Sequence, residues 1–346
     1  MAEKSKLYKD YQGLYEGYRN ENREWVIPPQ FNEAKPFSEG MARVRICKIA
    51  QNKWGYINEK GELVISPIFI EATDFNEGVA AVKLGRNWGF IRPDGTYLFE
   101  PQFSEVTLFN NGIAKVKYKG KYGRIKIDGT YQVKPVYDKI DKWSEGYAPV
   151  LKGDKWGFIN EDGKEIIKPQ YDFVKHFRKG IALVKYKGKY GWINSQGQWV
   201  IEPKFQGASI FVNELALAKD NNKVGWINLK GEWVIEPQFD EAKHFDGDIA
   251  FVKNGGKYGL INRKAEWIIK PTFEKVENFV EDVCLVQLSE GDHFGFIGRD
   301  GKWLLEPQFN TVIYEFEDGF AEVWKDNKKG YVDTEGKYYK RKPKAK

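Results

Sequence analysis

A glycine recurs along this chain at a nearly constant spacing, and a large apolar residue stands before it in most copies. From Gly55 to Gly259 every step is 34 residues, whereas the first step is 38 residues and the last two are 36 and 35. The ten glycines are Gly17, Gly55, Gly89, Gly123, Gly157, Gly191, Gly225, Gly259, Gly295 and Gly330. A fixed period of this size indicates a repeat architecture, in which each repeat buries its apolar face against its neighbours.

A proline keeps the same register in nine of the ten copies. These prolines are Pro29, Pro67, Pro101, Pro135, Pro169, Pro203, Pro237, Pro271 and Pro307. Because the pattern fills nearly the whole chain, we predict one continuous repeat array over residues 14–339. We predict an N-terminal extension over residues 1–13 and a basic, disordered tail over residues 340–346.

Residues 171–203 serve as an example of one repeat. Four short runs, YDFVKHF, IALVKY, YGWIN and WVIEP, alternate in polarity or are rich in β-branched residues, and turns that contain glycine separate them. No stretch long enough for a helix shows a period of about 3.6 residues. The sequence therefore predicts an all-β fold, a tandem array of about ten antiparallel β-meander repeats.

Two residues of this repeat carry more detailed expectations. Pro203 is expected to end the fourth strand, because proline has no N–H for the hydrogen-bond ladder. Gly191 falls inside the third strand, where glycine marks a bulge or a close approach of another backbone. Its recurrence in every repeat suggests that a neighbouring sheet presses on this point.

Four-stranded repeats can be arranged as a closed ring or as an open stack. Closed β-propellers usually have roughly four to eight blades, fewer than the ten repeats counted here. A closed ring also often completes one blade from both chain ends, and no spare strand follows Tyr339. We therefore expect an open, superhelical stack of blade-like sheets, with a closed propeller-like ring as the alternative.

The residue before the repeated glycine is large and apolar in eight copies but changes between Trp, Tyr, Phe and Val. A packing position keeps size, whereas a ligand-binding position more often keeps one chemistry. We therefore assign these pairs to the structural core of the repeat. The representative pairs are Trp54 and Gly55, Trp88 and Gly89, and Trp156 and Gly157.

These motifs are similar to those of the WG-repeat family of bacterial proteins. The resemblance is carried by KWGYINEKGELVISPIF (53–69), NWGFIRPDGTYLFEPQF (87–103), KWGFINEDGKEIIKPQY (155–171) and HFGFIGRDGKWLLEPQF (293–309), with linking segments such as FNEGVAAVK (75–83). It extends over residues 14–339 and implies a β-strand repeat structure. It implies little about activity, because the family is mostly uncharacterised and offers no catalytic motif to carry over.

Charge and hydropathy argue against several classes of protein. The chain has 55 Lys and Arg against 49 Asp and Glu, but six of the basic residues lie in the last ten, KYYKRKPKAK. The basic excess therefore belongs to the tail, which weakens the case for a nucleic-acid-binding body. No apolar run has the length of a signal peptide or a membrane span, so neither is expected.

The two cysteines, Cys47 and Cys284, lie in separate strand-like apolar runs. Free cysteine packs as a small hydrophobic residue, so we expect buried structural thiols. No disulfide framework is implied, and a reducing cytoplasm is the expected location.

The sequence offers little for catalysis, and we expect no enzymatic activity, cofactor or metal. No phosphate-binding glycine loop, HExxH or CxxC motif is present. His176 and His244 share one register two repeats apart, so they are expected to be half-exposed strand residues rather than ligands of a shared metal. His293 is the third histidine.

The fourth strand carries a row of mostly aromatic residues. The row comprises Trp25, Leu63, Tyr97, Tyr131, Glu165, Trp199, Trp233, Trp267, Trp303 and Tyr338. Its rings could stack on a polymer such as a glycan or single-stranded nucleic acid. Alternatively, they form the packing between repeats, because WVI is apolar at three consecutive positions and suits a strand covered on both faces. We favour packing, although Glu165 interrupts the row, and a buried row would tolerate a charged residue less well than an exposed one.

Three stretches depart from the period. They are ICKIAQNK (46–53), SEGDH (289–293) and VNELALAKDNN (212–222), the last of which lacks the turn glycine. Insertions in repeat proteins map to loops, often on a binding face, although neutral drift in a tolerant turn explains them equally well.

Together these features predict a non-enzymatic protein-interaction scaffold or regulatory binding module whose partner is a protein. Polymer binding along the aromatic row is the alternative, and a polymer-active hydrolase is the third hypothesis. The basic tail could contact nucleic acid, an anionic membrane surface or an acidic protein.

Overall fold

The computed structural model describes residues 6–46, 52–291 and 293–343. Within these ranges the chain forms β-strands and turns without any helix, so the all-β prediction is confirmed. The chain divides into two compact units, Met1–Tyr171 and Asp172–Lys346, and each is described by itself. Cys47 and much of the first departure from the period lie outside the described residues, as do residues 344–346 of the tail.

The strands of the described residues pair into ten antiparallel sheets, numbered here in chain order. Sheets 1–5 lie in the first unit and sheets 6–10 in the second. In every four-stranded sheet the spatial order follows the chain order, so the prediction of tandem antiparallel meanders is confirmed. Sheet 1 has three strands: β1 (Tyr8–Gln12), β2 (Tyr15–Arg19) and β3 (Trp25–Phe31).

Sheets 2–10 each have four strands. Their first strands, of two residues except in sheet 10, are β4 (Glu33–Ala34), β8 (Glu71–Ala72), β12 (Glu105–Val106), β16 (Lys139–Ile140), β20 (Phe173–Val174), β24 (Gly207–Ala208), β28 (Glu241–Ala242), β32 (Lys275–Val276) and β36 (Thr311–Glu317). Their second strands are β5 (Met41–Arg45), β9 (Ala80–Leu84), β13 (Ile113–Tyr118), β17 (Tyr147–Lys152), β21 (Ile181–Tyr186), β25 (Ala216–Asp220), β29 (Ile249–Asn254), β33 (Val283–Gln287) and β37 (Phe320–Lys325).

The two remaining strands complete each meander. The third strands are β6 (Trp54–Asn58), β10 (Asn87–Ile91), β14 (Lys121–Lys126), β18 (Lys155–Asn160), β22 (Lys189–Asn194), β26 (Lys223–Ile227), β30 (Lys257–Asn262), β34 (Phe294–Gly298) and β38 (Lys328–Asp333). The fourth strands are β7 (Leu63–Phe69), β11 (Tyr97–Phe103), β15 (Tyr131–Tyr137), β19 (Glu165–Tyr171), β23 (Trp199–Phe205), β27 (Trp233–Phe239), β31 (Trp267–Phe273), β35 (Trp303–Phe309) and β39 (Tyr338–Tyr339). The choice between an open stack and a closed ring stays a prediction.

The repeated proline does not end the fourth strand, so that expectation is wrong. In sheet 6, β23 continues through Pro203 to Phe205. Tyr190 pairs with Phe205, and Trp192 pairs with Ile201. Residues 202–204 of β23 therefore bulge opposite the single residue Gly191 of β22. Proline is tolerated there because the fourth strand is an edge strand and the bulge removes the need for a ladder hydrogen bond.

The same bulge explains the repeated glycine and corrects the expectation of pressure from a neighbouring sheet. A Cβ atom on Gly191 would lie 2.6 Å from the carbonyl oxygen of Ile201 and 2.8 Å from the nitrogen of Pro203. Both atoms belong to β23, the adjacent strand of the same sheet. Glycine is therefore required because the bulged edge strand folds over the third strand.

The cores lie between successive sheets. In the second unit, Trp192, Ile201 and Phe205 of sheet 6 pack with Ala216 and Ala218 of sheet 7. Large side chains on one sheet thus meet small ones on the next, which is the complementarity that close packing needs. Within each unit, neighbouring sheets bury apolar area against each other, which is why the repeat must be present in several copies.

The fourth strand is covered on one face only, so the expectation that both faces are covered is wrong. Along β23 the side chains alternate between inward and outward positions, and Ile201 is buried. The outward residues Val200 and Val234 are 41% and 49% exposed. Three consecutive apolar residues in WVI therefore do not indicate a strand that is covered on both faces.

Replacing Gly191 with alanine is expected to destabilise the chain by about 3 kcal/mol, because the new Cβ overlaps backbone atoms that cannot move away. Gly207→Ala is the matched control, since its Cβ would approach Lys219 Cβ no closer than 3.3 Å. Urea unfolding measures both. Equal stability of the two variants would contradict the bulge explanation.

Replacing Glu214 with glycine is expected to stabilise the chain by about 1 kcal/mol. Glu214 has a φ of 67° in a two-residue turn whose counterpart in sheet 6 is Gly180, with a φ of 77°. A residue with a side chain disfavours this left-handed backbone conformation, whereas glycine adopts it without strain. Thermal unfolding tests this, and a lower melting temperature for Glu214→Gly would refute it.

Candidate functional site

Each four-stranded sheet except sheet 10 joins its first and second strands by a short connection whose residues differ from repeat to repeat. The connection folds as a tight hairpin, for example with Val212 N–H donating to Leu215 O at 2.9 Å. Its central aromatic side chain covers the core, as Phe211 does on Trp192 at 5.2 Å between ring centroids. The polar residues beside that aromatic side chain face open grooves between sheets.

The first such groove, called the 4–5 groove, lies between sheets 4 and 5 and has a volume of about 680 Å³. It is basic, and Asp141 is the only acid among the described residues that line it. Its lining residues are Thr107, Leu108, Asn110, Ile113, Lys115, Tyr122, Arg124, Lys139, Ile140, Asp141, Lys142 and Trp143.

Cation–aromatic contacts organise the 4–5 groove. Lys115 Nζ lies 4.3 Å from the ring centroid of Tyr122, and the Arg124 guanidinium lies 4.9 Å from that of Trp143. Burial lowers the pKa of the Arg124 guanidinium, and the negative charge of Glu161 acts in the opposite direction. The two cations are therefore held beside aromatic faces rather than released into bulk water.

The second unit has grooves at the same register of its own sheets. The 6–7 groove, of about 480 Å³, is lined by Phe173, Lys175, His176, Arg178, Leu183, Tyr190, Ala208, Ser209 and Ile210. The 7–9 groove, of about 750 Å³, is lined by Val212, Asn213, Leu217, Ala242, Lys243, His244, Phe245, Asp246, Ile249, Ala250, Phe251, Leu260, Asn278 and Phe279. The departure at residues 212–222 thus contributes to a groove through Val212 and Asn213.

The polar groups of the 7–9 groove are engaged differently from those of the 4–5 groove. Lys243 Nζ donates to Val276 O at 3.0 Å and to Asn278 Oδ1 at 3.2 Å. Burial lowers the pKa values of Lys243 and His244. His244 and His176 are half-buried, but they lie in the connections after β28 and β20 rather than in strands, so the strand part of that expectation is wrong. Each lines a separate groove.

Several rings of the aromatic row, Tyr131 in the first unit and Trp233, Trp267 and Trp303 in the second, lie at junctions between sheets. Trp25, Tyr97, Trp199, Trp233 and Trp303 are half-buried, while Tyr131 and Trp267 are more exposed. In the second unit these rings pack nearly perpendicular to a Phe of the preceding sheet: Trp233 on Phe205 at 82°, Trp267 on Phe239 at 86° and Trp303 on Phe273 at 89°. Each of these three rings is therefore part of the packing between sheets, while one side of it reaches solvent.

The residues assigned to the repeat core occupy equivalent places in β6, β10 and β18. Trp54 is buried, and Trp88 and Trp156 are half-buried. A basic side chain lies near each ring: Arg45 at 4.4 Å from Trp54, Lys83 at 5.5 Å from Trp88 and Lys139 at 5.3 Å from Trp156. Gly55, Gly89 and Gly157 each face the bulge of their own fourth strand.

Cys284 is fully buried and free, as expected for a structural thiol. Burial raises the pKa of its thiol to about 12, and the positive charge of Lys243 acts in the opposite direction. No group of three or more metal-ligating side chains comes together within the described ranges. Those ranges also contain no helix able to span a membrane.

The 4–5 groove has no sequence motif, because its cations are marked only by substitutions at equivalent positions of the repeat. Lys115 and Arg124 stand where the next repeat has Pro149 and Phe158. Aligning the repeats and asking where an apolar position becomes charged would have found both residues.

A family model supplies the identification. The model of the WG containing repeat matches residues 17–46, 54–88, 88–122, 125–156, 156–190, 190–223, 225–258, 258–290 and 294–328. The chain therefore belongs to the WG-repeat family, as the resemblance indicated.

Other comparisons carry less information. No curated protein matches the chain. A crystal structure of the eukaryotic initiation factor is 11% identical, covers 89% of this chain and 100% of its own, and has a TM-score of 0.40. Hsv2p of Kluyveromyces lactis is 11% identical, covers 67% of this chain and 93% of its own, and has a TM-score of 0.35. Virginiamycin B lyase of Staphylococcus aureus is 15% identical, covers 63% of this chain and 90% of its own, and has a TM-score of 0.29. None of these similarities bears on function.

Replacing Trp233 with alanine is expected to destabilise the chain by about 2 kcal/mol, because the ring is half-buried against Phe205. Val234→Ala is the control on the outward face, with an expected change below about 0.5 kcal/mol. Urea unfolding compares the two. A Trp233→Ala variant as stable as the control would show that the ring is free for a ligand.

Proposed function

We propose that this chain is a non-enzymatic protein-interaction scaffold that binds its partner through the connections between first and second strands. One observation supports this most directly. The repeated frame of glycine, bulge and proline is constant, whereas equivalent groove positions carry different chemistry in successive repeats. Repeat proteins use such variation on a rigid frame to recognise partners over an extended surface.

The charge of the grooves supports a partner with acidic groups. Lys142 in the 4–5 groove and Lys175 in the 6–7 groove are exposed cations on connections. Such charges steer association and select against partners of the same sign. The cytoplasmic location predicted from the cysteines is part of this proposal.

The edge strands support recognition through side chains rather than strand addition. A fourth strand such as β23 has proline inside a bulge, which interrupts the row of backbone groups that another strand would need. The aromatic row is less suited to stacking a polymer, because its rings already pack on Phe side chains of the preceding sheet.

Affinity capture from native lysate, with nuclease added, tests the proposal. The wild-type chain is expected to retain a stoichiometric protein partner, and the variant Lys142→Glu with Lys175→Glu is expected to lose it. The control is Lys168→Glu with Lys270→Glu, an equal charge change at exposed positions on the outward face of two fourth strands. Full retention by the groove variant, or turnover of a substrate by the pure chain, would overturn the proposal.

A further inference from the structure

Two cations lie directly opposite each other in sheet 4. Lys115 of β13 pairs with Arg124 of β14. Like charges at directly opposed positions destabilise an antiparallel pair. Six other sheets fill this position with two apolar side chains: Ala81 and Phe90, Pro149 and Phe158, Leu183 and Trp192, Leu217 and Trp226, Phe251 and Leu260, and Leu285 and Phe296.

Sheet 2 shows how one cation at this position is stabilised. Arg43 occupies the place equivalent to Lys115, and its Nε donates to Asp74 Oδ1 at 2.7 Å. A second guanidinium nitrogen donates to Ala72 O. Both acceptors come from sheet 3, so the connection of the following sheet supplies the counter-ion.

In sheet 5 the residue equivalent to Asp74 is Lys142, so the counter-ion is replaced by a third cation. Among the described residues, neither Lys115 nor Arg124 forms an ion pair with a carboxylate. Two nearby acids are paired with other cations: Glu105 accepts a hydrogen bond from Lys117 Nζ at 2.7 Å, and Asp141 lies 3.3 Å from Lys139 Nζ. Glu161 acts on Arg124 through its charge, without an ion pair among the described residues.

The groove thus holds three cations, Lys115, Arg124 and Lys142, none of which forms an ion pair with a carboxylate in the part of the chain that the structure describes. A single carboxylate would leave most of this charge uncompensated, whereas a phosphate monoester carries about −1.5 to −2 at neutral pH. Guanidinium also matches phosphate oxygens in a two-bond geometry.

The rest of the lining suits an organic group attached to that phosphate. Trp143, Tyr122, Leu108 and Ile140 give the groove aromatic and aliphatic surface beside the cations. A volume of about 680 Å³ is large enough for a small aromatic ester. Apolar walls with a few convergent polar groups are the usual composition of a ligand site.

We propose that the 4–5 groove binds a phosphate monoester, with Arg124, Lys115 and Lys142 holding the phosphate and the aromatic walls contacting its organic group. The ester is either a free small molecule or a phosphorylated side chain of a partner. The site goes beyond the scaffold function and does not depend on it, because binding of a free ester requires no partner protein.

The test is calorimetric titration of the full chain with phenyl phosphate, with benzoate as a monoanionic control of similar size. We expect phenyl phosphate to bind at least about tenfold more tightly than benzoate, because charge-assisted hydrogen bonds to three cations depend on the second negative charge. Phenyl phosphate is also expected to raise the melting temperature of the wild-type chain.

Two variants remove the site without opening the core. Lys142→Asp supplies the acid that Asp74 provides to Arg43, and Lys115→Leu with Arg124→Trp reproduces the pair of sheet 6. Both are expected to melt at a higher temperature than the wild type and to bind phenyl phosphate at least about tenfold more weakly. Lys168→Asp, on the outward face of β19, is the charge control that should bind like the wild type.

A tyrosine-phosphorylated peptide and its unphosphorylated form distinguish the two sources of the ester. Tighter binding of the phosphorylated peptide than of phenyl phosphate would support a protein-borne ester, and equal or weaker binding would support a small molecule. The proposal is overturned if the wild type binds neither phosphate ester, if benzoate binds as tightly as phenyl phosphate, or if Lys142→Asp binds like the wild type.

Discussion

The close approach of the fourth strand to the repeated glycine is the constraint on which the rest of the structure depends. In sheets 1–9 the carbonyl oxygen ten residues after the glycine lies where a Cβ atom would otherwise stand. The bulge places three residues of the fourth strand, such as residues 202–204 of β23, opposite the single glycine of the third strand and increases the local twist. It also accounts for the proline, which needs no ladder hydrogen bond at an edge. One local contact thus fixes two positions of the repeat.

This contact also organises the packing between sheets. Beyond the bulge, the fourth strands of sheets 2–9 end in an inward Phe or Tyr, such as Phe205 in sheet 6. In the second unit that ring packs against the aromatic residue at the start of the next fourth strand, as Phe205 packs against Trp233. The junction therefore repeats with the period of the sequence, and the connections between first and second strands remain free to vary.

The periodicity allowed the strand count, the meander order and the family to be predicted from the sequence, because they depend on a pattern repeated many times. The position of the bulge could not be predicted, since Gly191 and Pro203 are separated in sequence and their contact depends on strand register. The exposure of Val200 was misjudged because an apolar residue on an edge strand resembles a buried one in the sequence. The 4–5 groove depends on Lys115 and Arg124 being opposed, which is a property of pairing rather than of any motif.

The constant frame and the variable grooves predict that a partner contacts the connections rather than the fourth strands. Hydrogen exchange of the full chain, measured with and without its captured partner, tests that claim most directly. Slower exchange in the connections, around residues 107–112, 141–146, 175–180 and 243–248, with little change in the fourth strands, is the predicted result. Protection concentrated in β23 and β27, along the aromatic row, would contradict it.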